Sequence, residues 1–134
     1  MINTLALNLI ADVMAVEVAS AVLNHHERID GDGYPRGVPA RSLPLMTRVI
    51  QVADAFDAMT SRRPYRPALD TPLAVAEVLR CAGSQFDGDV ALALARLFDR
   101  QQPDEEPSYR RHLPAFLDGG FAAAVPAPSL VRLR

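Results

Sequence analysis

Leu45-Met46-Thr47-Arg48-Val49-Ile50-Gln51-Val52-Ala53-Asp54-Ala55-Phe56-Asp57-Ala58-Met59-Thr60-Ser61 is the stretch whose reading decides the fold. Met46, Val49, Ile50, Ala53, Phe56 and Met59 recur at the three- and four-residue spacing of one helical face, which predicts an amphipathic helix over 45–61. Asp54 and Asp57 are three apart, on neighbouring parts of one face close to the apolar stripe. A carboxylate there needs a partner, because burying an unpaired charge is costly. Asp54 is therefore half of an ion pair, with an Arg such as Arg48 or Arg28, or a carboxylate able to bridge two metal ions. Asp57 is placed to orient a ligand or a substrate water.

Upstream, residues from Leu5 to Glu27 read as a helix. Glu17, Ser20 and Asn24 form a polar stripe, with Met14, Val18 and Val22 on the opposite, buried side. At 100° per residue His26 falls on the buried side and His25 near its edge, at the C-terminal end of that helix. Asp30-Gly31-Asp32-Gly33-Tyr34-Pro35 is turn chemistry, and a loop continues through Gly37, Pro39 and Pro44.

Downstream, Arg62-Arg63-Pro64-Tyr65-Arg66-Pro67 ends the 45–61 helix. Thr71 as N-cap followed by Pro72 opens a third helix to Ala82, closed by Gly83. Asp87 caps a fourth helix from Gly88 to Arg100. After Gln101 the pattern fades into a loosely ordered tail with Pro103, Pro107, Pro126 and Pro128 and one short helix near Leu113 to Ala124. No segment has the alternation of a strand, so the expected class is an all-α helical bundle.

The 134 residues suit one domain, and 49% hydrophobic residues suffice for a core. A net charge of -2 argues against a general DNA or RNA binder. All 14 basic residues are Arg, so Arg enrichment is compositional background and counts only in a specific context. Cys81 is the only cysteine, which excludes an internal disulfide, suits a reducing cytoplasm and reads as a small apolar residue on a helix. No apolar run approaches a membrane span, and the N-terminus lacks the basic region of a signal peptide.

Four elements can carry chemistry. Neutral imidazoles such as His25 and His26 are common transition-metal ligands; side by side on one helix they would serve neighbouring ions, or simply bond backbone carbonyls. Arg63 and Arg66, on a chain stiffened by Pro64, suit bidentate phosphate contacts, and Tyr65 suits stacking on a base or sugar. The glycine-rich turn can present backbone N–H groups to an anion. Glu27 and Asp30 are placed to hold a ligand imidazole in one tautomer. Each also has an ordinary structural reading as a helix end, a turn or a solvated charge, and His112, lying apart from all of them, reads as a surface residue.

Their order and spacing together are specific. His25-His26-Glu27, then Asp30-Gly31-Asp32-Gly33-Tyr34-Pro35, then Val52-Ala53-Asp54-Ala55-Phe56-Asp57-Ala58-Met59-Thr60-Ser61-Arg62-Arg63-Pro64-Tyr65-Arg66 closely resembles the HD-GYP family. Gly83-Ser84-Gln85-Phe86-Asp87 resembles that family's G-x-x-F-D-P ending, with Gly88 in place of the proline. The resemblance covers about His25 to Phe98.

It implies an all-helical HD-domain phosphohydrolase that cleaves cyclic di-GMP with a cluster of iron or manganese ions, in bacterial second-messenger signalling. By resemblance His25, His26 and Asp54 are metal ligands, Asp57 has a catalytic role, and Arg63, Arg66, Gly33, Tyr34 and Pro35 bind substrate. The family's remaining ligands, including the His-Asp doublet, lie upstream of the His-His pair, whereas only 24 residues precede His25 here and none is His. The expectation is a partial HD-GYP domain over 1–100 (signature 25–66) with a tail over 101–134. Its metal site would be incomplete and inactive alone, and Leu5 to Val22 would expose apolar surface. The alternative is a non-catalytic cyclic-dinucleotide-binding or interaction module, with a diguanylate cyclase or a second copy as partner.

Overall fold

The computed structural model describes residues 4–101 and 107–113. Four helices follow in chain order: α1 (Thr4–Asn24), α2 (Leu45–Thr60), α3 (Thr71–Arg80) and α4 (Gly88–Gln101). Short 3-10 turns occupy Ala40–Ser42 and Ser108–His112. Among the described residues there is no strand, only the isolated bridges Arg63–Arg66 and Ala82–Phe86, so the protein is all-α as expected. No helix among the described residues is long and apolar enough to cross a membrane.

α3 is the middle of the core. Ala74, Val75, Ala76, Val78 and Leu79 are all buried, because they meet α2, α4 and the 107–113 segment on different sides. Val52 of α2, Ala91 and Ala95 of α4, and Phe86 before α4 complete the packing, and the Phe56 and Phe98 rings meet at 5.4 Å. Two helix boundaries move slightly from expectation. Asp70, not Thr71, is the N-cap of α3, and Cys81 closes that helix half-buried. Asp87 does cap α4: its Oδ1 accepts from the N–H groups of Asp89 (2.9 Å) and Val90 (3.1 Å).

The 101–134 region was expected to be a loose tail, yet residues 107–113 pack over α3. Tyr109 is 3% exposed and donates its hydroxyl to Asp99 at 3.1 Å. Burial, reinforced by the neighbouring carboxylate, pushes that phenol up to about 12. The short helix expected over Leu113 to Ala124 lies outside the described residues except for Leu113, which closes the 3-10 turn.

α1 does not bury the expected side, and of its described residues only the last turn faces inward. Met14, Val18 and Val22, assigned to the buried side, are 45%, 46% and 59% exposed, whereas Ala21 and Asn24 are buried. The reason is polar: Asn24 Oδ1 accepts from Arg36 Nη2 at 2.9 Å, and the Asn24 carbonyl accepts from Gln51 at 3.3 Å, so the Ser20/Asn24 side turns inward. Leu5, Leu9, Val16, Val22 and Leu23 then face outward, the exposed apolar surface that the sequence led us to expect. α2 also buries polar positions. Its most buried positions are Thr47, Gln51 and Val52, while Val49 of the expected stripe is 46% exposed.

Arg48 fastens the loop between α1 and α2 to α4. Its guanidinium donates to the carbonyls of Leu43 (2.8 Å) and Ala40 (3.0 Å) and to Asp87 Oδ2 (2.9 Å). Burial alone would raise the Asp87 pKa. The Val90 N–H, the Arg48 side chain and the Asp89 N–H outweigh it and hold the carboxylate below its ordinary 3.8. A carboxylate with a depressed folded pKa contributes stability above its unfolded pKa and loses it as pH falls through the folded one. Acid unfolding should therefore show a loss of stability below pH 3.8 that Asp87→Asn removes. An unchanged acid limb in that variant would refute the assignment.

Candidate functional site

The site begins where α1 stops. The helix was expected to run to Glu27, but it ends at Asn24, and His25 and His26 occupy the turn that follows. The Asn24 side chain bonds back to the Ser20 carbonyl at 2.7 Å, and the Glu27 N–H caps the Asn24 carbonyl at 3.0 Å. Off the helix, the two imidazoles no longer diverge by 100°: their rings lie 3.9 Å apart, tilted by 40°. His25 Nδ1 lies 2.5 Å from the Val22 carbonyl. A ring nitrogen that donates there leaves Nε2 as a lone-pair donor, the state a metal requires. His26 stacks on Tyr34 (4.7 Å, 22°), and the Tyr34 N–H donates to the His26 carbonyl at 3.2 Å.

The loop that brings Tyr34 back is built on Glu27. This carboxylate is 2% exposed and accepts the backbone N–H groups of Arg36 (2.8 Å) and Val38 (3.1 Å). Gly33 lies against the Glu27–Arg28 backbone, so that a Cβ there would overlap main-chain atoms. The Tyr34–Pro35 peptide is cis. From below, the turn before α4 supports the loop: the N–H groups of Ile29 and Asp30 donate to the carbonyls of Gln85 (3.3 Å) and Ser84 (2.9 Å). Glu27 and Asp30 thus do not hold imidazoles, as the sequence suggested. Glu27 caps the loop, and Asp30 is held down to about 2 chiefly by its hydrogen bonds from Arg28.

His25, His26, Gly33, Tyr34 and Asp54 line one open cleft of about 290 Å³. Arg48 and Arg28, the candidate ion-pair partners of Asp54, are committed to Asp87 and Asp30. Asp54 is exposed and has no hydrogen-bond or ion-pair partner among the described residues. Asp57 does not line the cleft; its Oδ1 accepts from the Ser61 hydroxyl at 3.3 Å at the end of α2.

Arg63 and Arg66 exchange both backbone hydrogen bonds at 3.2 Å across the Pro64-Tyr65 turn. Residues directly opposed in this way send their side chains to the same face. Arg66 lines a neighbouring hollow of about 460 Å³ that shares Ala55, Gln85 and Phe86 with the cleft, while Arg63 and Pro35 line neither. Sequence reasoning gave no role at the cleft to Gln51, Gln85 or Phe86. Gln85 and Phe86 were legible only as part of a motif, and Gln51 carried no signal beyond being polar at a helical position.

Imidazole and carboxylate donors with open lone pairs fit a divalent transition metal. They fit as part of a shell, since among the described residues no three His, Cys, Asp or Glu side chains converge closely enough to hold an ion by themselves. The fold and the cleft together define a helical domain carrying an open imidazole–carboxylate site. A family profile described as the HD domain matches residues 3–90. The chain is 38% identical over 97 residues to a cyclic di-GMP phosphodiesterase of Thermotoga maritima, covering 68% of this chain and 26% of that protein. It is 44% identical over 78 residues to the cyclic di-GMP phosphodiesterase response regulator RpfG of Xanthomonas campestris, covering 58% and 21%. Against the 3'3'-cGAMP-specific phosphodiesterase 3 of Vibrio cholerae it is 54% identical over 81 residues, covering 60% and 17%. The chain belongs to the HD-domain family, in its HD-GYP branch. It spans about a quarter or less of the length of these relatives.

Proposed function

We propose that the chain supplies part of the active site of a metal-dependent phosphodiesterase that opens a cyclic dinucleotide, with cyclic di-GMP as the substrate. The supporting observation is the meeting of His25, His26 and an unpartnered Asp54 in one cleft, with Arg66 in the hollow beside it. His25, His26 and Asp54 would hold iron or manganese. Such an ion, when bound, supplies a Lewis acid for the phosphoryl oxygens and lowers the pKa of water.

In this reading Arg66, with Arg63 on the same face of its turn, holds the non-bridging phosphoryl oxygens by charge-assisted hydrogen bonds. Tyr34 braces the His26 ring from one side, and Gly33 and Tyr34 form the wall against which the dinucleotide lies, with Pro35 behind them in the loop. Water adds to phosphorus in line, and the opposite sugar oxygen leaves with a proton, so one P–O ester bond is replaced by another P–O bond. Asp57 enters as the residue that ties down the end of α2 rather than as a proton carrier, because its carboxylate engages Ser61 away from the cleft.

A second substrate, 3'3'-cGAMP, is favoured by one observation: the 54% identity is to a phosphodiesterase named for that molecule. Turnover of both dinucleotides with manganese or iron added, followed by chromatography, tests the reading. His26→Ala and Asp54→Ala are each expected to lower turnover by more than the roughly 10–100-fold that follows loss of a ligand's outer partner. Activity unchanged by both substitutions would refute it. Binding of a dinucleotide without turnover that survives both substitutions would instead support the non-catalytic module, with a diguanylate cyclase or a second copy as the partner to seek.

A further inference from the structure

From Leu5 to Ala19 every described side chain of α1 is exposed, and among its described residues only Ala21 and Asn24, in the last turn, are buried. Leu5 (76%), Val16 (71%), Leu9 (63%) and Leu23 (61%) are the most exposed large apolar side chains of the helix. At 100° per residue these four fall within about 40° of one another, in one stripe along a helix about 30 Å long. Their spacing of four and seven residues is that of a seam where one helix packs on another. Val13, Val16, Val18 and Val22 are weak helix formers in isolation, so the helix takes its stability from a surface laid against it.

The stripe and its flanking Val13 and Val22 expose on the order of 600 Å², so two copies face to face cover about 1,200 Å², the lower end of stable specific interfaces. Charge sets the direction. The only charged residues of α1 are Asp12 and Glu17, and Asp12 lies in the stripe. A parallel pair in register would set Asp12 against its own copy inside an apolar seam. An antiparallel pair centred on Met14 sets Leu5 opposite the second copy's Leu23, offsets the two Asp12 carboxylates by about 6 Å along the axis and opposes the helix dipoles.

We propose that the chain forms a two-fold homodimer through α1, the helices antiparallel and packed along Leu5, Leu9, Val16 and Leu23. The face is self-complementary, so the assembly closes at two copies. The two histidine turns then stand at opposite ends of the pair, about 30 Å apart, and neither cleft completes the other.

Sedimentation equilibrium of the 134-residue chain tests this. A single species of twice 14.6 kDa is expected across the micromolar range. Leu9→Glu and Val16→Glu are each expected to shift it to monomer. Leu45→Glu, at a leucine equally exposed (65%) but on α2, is expected to leave the dimer intact. Amide exchange at Val75 and Val78 of α3 checks that each variant keeps its core. With Cys81→Ser in both, chains carrying Leu5→Cys and chains carrying Leu23→Cys should form disulfides with each other and not with their own kind. A monomeric wild type, an open series of larger assemblies, or a dimer that survives both glutamate substitutions would overturn the proposal. So would loss of the dimer in Leu45→Glu, or Leu23→Cys chains joined to their own kind, the mark of a parallel pair.

Discussion

Gly33→Ala is expected to destabilise the protein by about 3 kcal/mol or more and to dismantle the loop facing His26. A Cβ at this position would sit within 3.0 Å of the backbone nitrogen of Arg28 and of the Cα and carbonyl carbon of Glu27. Main-chain atoms cannot rotate away as a side chain can, so the two strands of the loop must part. Parting them removes the Tyr34 N–H bond to the His26 carbonyl and the stacking of Tyr34 on the His26 ring. Gly83→Ala provides the contrast. Its φ is +80° and nothing lies within 4 Å of the added Cβ, so only backbone strain of about 1–2 kcal/mol is expected. Urea unfolding of the two variants should rank them in that order. Amide exchange at Tyr34 should accelerate in Gly33→Ala alone. Equal stability of the two variants would show that the loop does not pack on Glu27 as described.

Glu27→Ala is the second large effect, at about 3–5 kcal/mol. The carboxylate is 2% exposed and accepts two backbone N–H groups, from Arg36 and Val38. Truncation leaves both donors without an acceptor in a place water does not readily reach, and an orphaned donor costs more than the bond itself contributed. Glu27→Gln keeps one acceptor oxygen in nearly the same shape and should fall between alanine and wild type. Equilibrium unfolding gives the ranking, and amide exchange at Tyr34, whose N–H donates to the His26 carbonyl, shows whether the histidine turn survives. If the glutamine variant is as damaged as alanine, the charge rather than the acceptor count holds the loop.

These two residues illustrate what could be read from the chain alone. The class followed from periodicity: α2, α3 and α4 lie within a residue or two of their expected spans, because caps such as Asp87 and breakers such as Pro64 act locally. The facing of α1 did not follow, and the expected stripe of α2 was misplaced. Hydropathy ranks apolar residues as buried, but here Asn24, Glu27 and Gln51 occupy buried positions. They do so because hydrogen bonds across chain separations of up to 27 residues make burial tolerable, and such pairings have no period to detect.

The candidate site divides the same way. His25, His26 and Asp54 were legible by spacing and resemblance, and the structure places them in one cleft. Asp57 was equally prominent in the signature yet lies outside that cleft, bonded to Ser61. Three residues along a helix is enough to turn a side chain about 60° away, and which of the two carboxylates faces the histidines depends on how α2 rotates against the 24–27 turn. Sequence by itself determined that this is an all-helical HD-domain chain with paired imidazoles, a glycine-bearing loop and an aspartate helix in fixed order. Tertiary structure alone decided that α1 ends before the histidines, that Glu27 holds the loop rather than an imidazole, and that Gln51 joins the turn to α2. Local chemistry acts over a few residues and is written in the chain; the burial of a polar group depends on partners that only folding brings within hydrogen-bond reach.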